Sequence, residues 1–169
     1  MFGGWVFAAT NRGDGAVKLI SQSLSGLTKA RTTIFFQFSL VCLARAHVSC
    51  GRFAEAQDAL SRAIDSIEKT KVRWDEAEVL RTAGEIARLG PLSDAVKAEA
   101  YLDRALVVAR QQNAKSWELR AAMSMARLWR DQRKPQEARD LLAPIFGWFT
   151  EGFDLPDLME AKALLQELG

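Results

Sequence analysis

The chain carries one histidine, His47, together with two cysteines, one tyrosine and four prolines in 169 residues. A single imidazole leaves no Ser-His or Cys-His pair beyond the neighbourhood of Cys42 and Cys50, and no Cys/His group of zinc spacing can be assembled. The two cysteines lie eight residues apart in one helical pattern. That separation is about 12 Å of helical rise, whereas a disulfide needs Cα atoms within roughly 7 Å. Reduced, buried thiols in a cytoplasmic protein are therefore expected. Charge of one sign is not concentrated either: 23 Lys and Arg face 21 Asp and Glu, net +2, without a like-charged run, so neither nucleic acid nor membrane is indicated as a partner. Long apolar runs are also missing. The opening "MFGGWVFAA" lacks the positive flank of a signal peptide and is too short to span a bilayer, so it reads as a helix cut short. There is no GxxxxGK[ST] phosphate loop and no paired-aspartate metal site. No enzyme activity, metal or cofactor is expected.

Helical periodicity and an internal repeat are what the sequence does contain. "EAQDALSRAI" (55–64), "KAEAYLDRAL" (97–106) and "EARDLLAPIF" (137–146) superimpose, with Ala56, Ala98 and Ala138 followed at +4 by Leu60, Leu102 and Leu142 and at +7 by Ala63, Ala105 and Ile145. A fainter copy supplies Ala16, Ile20 and Ser23, giving spacings of 40, 42 and 40 residues. Ahead of each strong copy lies another helical pattern with a small residue, at Ala44, Gly84 and Ala126. Small residues at matched positions of two neighbouring helices let their backbones approach closely, so each unit is predicted to be an antiparallel helix pair. The two extra residues of the middle copy fall in "RLGPLSD", where Gly90 and Pro91 mark a turn and Ser93 suits an N-cap.

This pattern resembles the tetratricopeptide repeat, best in "LVCLARAHVSCGRFAEAQDALSRAI" (40–64), but with a period above the usual 34 residues. Longer helices follow, similar to the long-repeat superhelix of bacterial regulators of the maltose-activator type. The expected fold is all-α: a tetratricopeptide-like right-handed superhelix of about nine helices in a single domain. Its parts are a truncated repeat (1–30), repeats at 31–70, 71–113 and 114–151, and a capping helix at 154–168. A closer resemblance is carried by "RWDEAEVLRTAGE", "SWELRAA", "ARLWRDQ" and "GWFTEGFD". These phrases are similar to the C-terminal repeat region of bacterial signalling proteins that join a class III adenylate/guanylate cyclase or a DNA-binding domain to a STAND-type ATPase. The chain then looks like a truncated or stand-alone relative of that region. Arg133 stands where that family usually has glycine.

In such repeats the first helix of each pair lines a concave groove. That face selects Arg45 in one unit, Glu78, Arg81, Glu85 and Arg88 in the next, and Arg120, Met123, Arg127 and Arg130 in the third. Arginine forks bind carboxylates and phosphates, so an acidic peptide or a small anionic effector is one expectation for this wall. A structural charge network, with the glutamates pairing the arginines, is the other. Trp74 and Trp117, 43 residues apart, suit packing between repeats better than a stacking platform for a ligand. The leading reading is a non-catalytic protein-interaction module. A ligand-sensing domain, and a homodimer formed where the shortened first repeat leaves Phe36 and Phe38 uncovered, stand beside it.

"LLAPIFGWFTEGFDLPDLMEA" (141–161) is expected to end the array. Pro144 should kink the helix running over 137–151, and Gly152 should stop it in a left-handed conformation. Trp148, Phe149 and Phe153 would wedge a closing helix capped by Asp154, with Leu155, Leu158, Leu165 and Leu168 as its stripe.

Overall fold

The computed structural model describes residues 12–29, 35–91 and 93–169, and among them every regular element is an α-helix. Eight follow in order: α1 (Arg12–Lys29), α2 (Phe36–Ser49), α3 (Phe53–Thr70), α4 (Glu76–Leu89), α5 (Ala95–Gln111), α6 (Lys115–Asp131), α7 (Pro135–Phe146) and α8 (Pro156–Glu167). The described residues thus hold eight helices rather than about nine. The missing helix was expected from "GGWVFA", which lies outside them.

The repeat positions form the crossings between helices. Ala56, Ala98 and Ala138 have no exposed surface, Leu102, Leu142, Ala63 and Ala105 have none, and Ala44 and Ala126 match them on the partner helices. At the equivalent place in α4 a Cβ on Gly84 would lie 2.7 Å from Leu102 Cγ and 3.1 Å from the Ala98 carbonyl oxygen, so only glycine fits there. In the fainter copy Ala16 and Ile20 are half-buried and Ser23 is exposed, and among the described helices α1 contacts only α2.

Each helix packs on its sequence neighbours, and α2, α4, α6 and α8 also touch one another in series. Among the described residues α1, α3, α5 and α7 make no such mutual contacts. α4 is covered on every side, with all residues from Glu76 to Ala87 buried. The apolar interior falls into two clusters that share Ile64 and Tyr101, one around α2–α4 and one running from α4 to α8.

Three links between helices are the same turn built from different residues. Gly51, Asn113 and Arg133 have φ of 74°, 53° and 63°. The amide after each reaches back five residues, Arg52 to His47 at 2.9 Å, Ala114 to Ala109 at 2.9 Å and Lys134 to Trp129 at 2.8 Å. This is the glycine-favouring end of a helix, where backbone amides satisfy the last carbonyls.

Several local expectations are corrected. Asp94, not Ser93, caps α5, its carboxylate accepting the Lys97 amide at 2.9 Å. Cys42 and Cys50 are free but half-buried rather than buried, and Cys50 closes α2 instead of lying within it. α7 stops at Phe146, inside the turn that contains Pro144, and the Gly147 amide closes it onto Ala143 O at 2.9 Å. Gly152 is left-handed, at φ 73°, but in the loop rather than at a helix end.

α8 begins at Pro156 with Leu155 as its N-cap, not at Asp154. Proline fits the first helical position because its φ is preset and its missing amide hydrogen has no role there, while it forces the preceding residue to be extended. Leu155 accordingly has φ −70° and ψ 142°. The apolar stripe shifts with the start: Leu158, Ala161, Leu164 and Leu168 are buried, Leu165 is half-buried and Leu155 is exposed.

Candidate interaction surface

The side chains expected on one wall do come together, because α2, α4, α6 and α8 lie in a row. At its centre Glu78 and Arg81 form a two-pronged pair, Nε to Oε2 at 2.8 Å and Nη2 to Oε1 at 2.9 Å, one turn apart on α4. Arg45 of α2 donates to Glu78 Oε1 and, at 3.3 Å, to Thr82 Oγ1. Arg120 Nη1 of α6 lies 3.7 Å from the same Glu78 oxygen. Arg81 Nη1 donates to Ser124 Oγ at 3.2 Å, and Ser124 Oγ donates to Glu85 Oε1 at 2.7 Å.

Burial on its own would push the Glu78 carboxyl up. The Arg81 hydrogen bonds, with the charges of Arg81, Arg45 and Arg120, override it and hold the group at about 2. The Arg81 guanidinium is raised in turn by Glu78 against the opposing effect of its burial.

The outer arginines pair across to the next helix of the row. Arg88 donates to Asp131 Oδ2 at 2.9 Å. From α6 to α8 run Arg120 to Asp157 at 2.8 Å, Arg127 to Glu160 at 2.6 Å and Arg130 to Glu167 at 2.6 Å. Every arginine of the wall therefore has a carboxylate partner. Met123 is buried in the core instead of lining the wall. The partners Asp131, Ser124, Asp157, Glu160 and Glu167 were not anticipated from sequence. A signal for three of them exists: Asp157, Glu160 and Glu167 share one helical face, in rising order with Arg120, Arg127 and Arg130.

A second feature lies at the N-terminal ends of the same helices. Trp74, just before α4, stacks against Phe35 and Phe38 at the start of α2, with ring centroids 6.2 and 6.1 Å apart, and against Trp117 of α6 at 6.1 Å. Phe36 is half-buried against the core, while Phe35 and Phe38 remain exposed. The tryptophans do pack between neighbouring units, and the row they form is wet on one side.

Below it Asp75 is fully buried, and neither carboxylate oxygen has a hydrogen-bond partner. Burial raises this carboxyl to about 6 against the opposing effect of its own backbone amide, and the neighbouring Glu76 and Glu78 push it further up.

Past Trp117 the row is interrupted. Between the first turns of α6 and α8 an open cleft of about 680 Å³ is lined by Leu119, Phe149, Leu155 and Leu158 together with Ser116, Arg120, Glu151 and Asp157. The expected aromatic wedge is only partly formed. Phe149 packs half-buried on the core, and Phe146 meets Phe153 at 5.8 Å, yet Phe153 is 48% and Trp148 58% exposed. Trp148 stands edge-on to Phe149 at 5.2 Å, with the Lys115 ammonium 5.6 Å from its ring. The α7–α8 loop is too short of apolar partners to bury these rings as well.

No cluster of three metal-ligating side chains occurs among the described residues, and burial pushes the Cys42 thiol up, away from a reactive thiolate. Among the described residues no helix is long and apolar enough to cross a membrane. No protein-family model matches the sequence, and no curated protein matches it.

Proposed function

We propose that the chain is a non-catalytic protein-interaction module built as a tetratricopeptide-like superhelix. Its relationship is to the repeat region of cyclase–STAND ATPase signalling proteins. The observation that carries this reading is the row α2, α4, α6 and α8, whose members touch each other while the odd-numbered helices do not. An array tighter along one side curves toward that side and leaves an inner wall, the usual presenting surface of helical repeats. The phase of Ala44, Gly84 and Ala126 with Ala56, Ala98 and Ala138 supports the same pairing of helices.

Carboxylate pairing at each arginine favours a charge network over an acidic-peptide groove at the centre of the wall. Binding then falls to side chains that the wall holds in place, above all the exposed rings at its edge. Affinity capture on the immobilised full chain, with mass spectrometry of the polypeptides and small molecules retained, tests the reading. Recovery of a polypeptide by the wild type and by Arg120→Ala/Arg127→Ala alike, with lower thermal stability of the variant, is expected. Retention of small molecules alone rejects the module in favour of effector sensing.

A further inference from the structure

Adjacent helices of the row are closed at their N-terminal ends by aromatic rings. Phe35 and Phe38 meet Trp74 between α2 and α4, and Trp74 meets Trp117 between α4 and α6. Between α6 and α8 no ring pair bridges the gap among the described residues, and the open cleft of about 680 Å³ stands in its place. Trp148 does not line that cleft: it stands edge-on to Phe149, whose ring is one of the cleft's walls, and lies beside the Lys115 ammonium.

We propose that this cleft receives the indole side chain of a partner polypeptide. The proposal rests on the reading of the chain as an interaction module and names the anchor that such a partner would insert. Three features select the anchor. First, the two sister gaps are occupied by rings, so the spacing of these helices at this end suits an aromatic slab. Second, Leu119, Phe149 and Leu155 supply apolar walls, and a volume of about 680 Å³ lies within the roughly 300–1,000 Å³ range of ligand pockets. Third, the polar lining pairs Arg120 with Asp157 at 2.8 Å and leaves the carboxylate of Glu151 and the hydroxyl of Ser116 as acceptors for an N–H that tryptophan has and phenylalanine or leucine lacks. The chain already makes such a bond once, from Trp129 Nε1 to Glu99 Oε1 at 2.8 Å. Buried tryptophan anchors ringed by neutral contacts dominate many interfaces, and the exposed Leu155 provides part of such a rim.

The test uses the full chain, isotope-labelled, titrated with N-acetyl-tryptophanamide and, as control, N-acetyl-leucinamide. Saturable shifts of the Ser116, Gly152 and Leu155 amides at about millimolar probe are expected, with the leucine probe roughly tenfold weaker. Ser116→Trp, which places a ring at the mouth from an exposed position, should abolish the response with the circular dichroism and melting temperature retained. If that variant misfolds, Leu155→Glu at the rim serves in its place.

Equal response to both probes, or none, overturns the proposal. So does free tryptophan binding about tenfold more tightly than the blocked amide, which marks a metabolite site instead. A polypeptide captured from lysate by wild type and Ser116→Trp alike overturns the cleft and leaves the interaction module standing. Loss of that capture in Ser116→Trp, together with the tryptophanamide response of the wild type, supports both. A tryptophanamide response with no polypeptide captured by either form overturns the partner and the module together.

Discussion

Glu78 and Arg81, one helical turn apart, are joined by two parallel hydrogen bonds of 2.8 and 2.9 Å in a site where the glutamate is 2% and the arginine 6% exposed. Water cannot replace either partner. Glu78→Gln would leave the Arg81 charge buried with Glu85 as its main counter-ion, a more distant one at 3.4 Å. Breaking a buried pair from one side costs about 3–5 kcal/mol. Urea unfolding should show that loss, and the paired change Glu78→Leu/Arg81→Met should recover a large part of it.

Two buried carboxyls, Glu78 within α4 and Asp75 at its N-cap, give opposite pH dependences. Glu78 is held at about 2 against an ordinary value of 4.5. A depressed carboxyl contributes stability that is present above 4.5 and lost as pH falls toward 2, here roughly 3 kcal/mol. Asp75 is raised to about 6 from 3.8. Its folded form holds a proton the unfolded chain has released, so its contribution is full below 3.8 and disappears as pH rises through 6, a loss of about 3 kcal/mol. Asp75→Asn should abolish the upper slope and stabilise the protein at pH 7 by a similar amount, as read from melting across pH 3 to 8.

Arg133→Gly is expected to stabilise. The position is left-handed, at φ 63°, in a turn whose sister in the first unit is Gly51. Relieving the Cβ strain outweighs the extra freedom of glycine when unfolded, giving about 0.5–1 kcal/mol. Chemical denaturation should show a higher midpoint with an unchanged slope.

Gly84→Ala tests the closest helix crossing. The added methyl would lie 2.7 Å from Leu102 Cγ, and the facing Ala98 backbone cannot withdraw. Overpacking of this kind costs about 1–3 kcal/mol. The same change at exposed Gly15, where a Cβ meets nothing within 4 Å, should be neutral or stabilising, and differential scanning calorimetry of the two variants separates the cases.

How far the sequence could be read follows the range of the interactions. Alanines, glycine and leucines in phase identified the helix pairs because a crossing leaves no room for larger side chains, and that constraint is written at fixed spacing. The all-α class and the coming together of the arginines were legible for the same reason. Partner identity was less so. Ser124 and the acids of α8 meet the arginines across different helices, a relationship set by how neighbouring helices pack and not by spacing within one helix. The start of α8 was misplaced because Asp154 was preferred as a cap over the stronger backbone restriction that Pro156 imposes on Leu155. Neither the cleft nor buried Asp75 could be foreseen, since each depends on how the α7–α8 loop and the segment before α4 settle against neighbouring helices.

The ion pairs of the row differ in their access to solvent, from the sealed Glu78–Arg81 contact to Arg130–Glu167, whose side chains are 39% and 57% exposed. Electrolyte weakens exposed pairs far more than buried ones. The array accordingly has a hard middle and a soft end. Added salt should let amide protons exchange first along α8 while those of α4 stay protected, so the C-terminal edge loosens with ionic strength and the rest of the molecule keeps its shape.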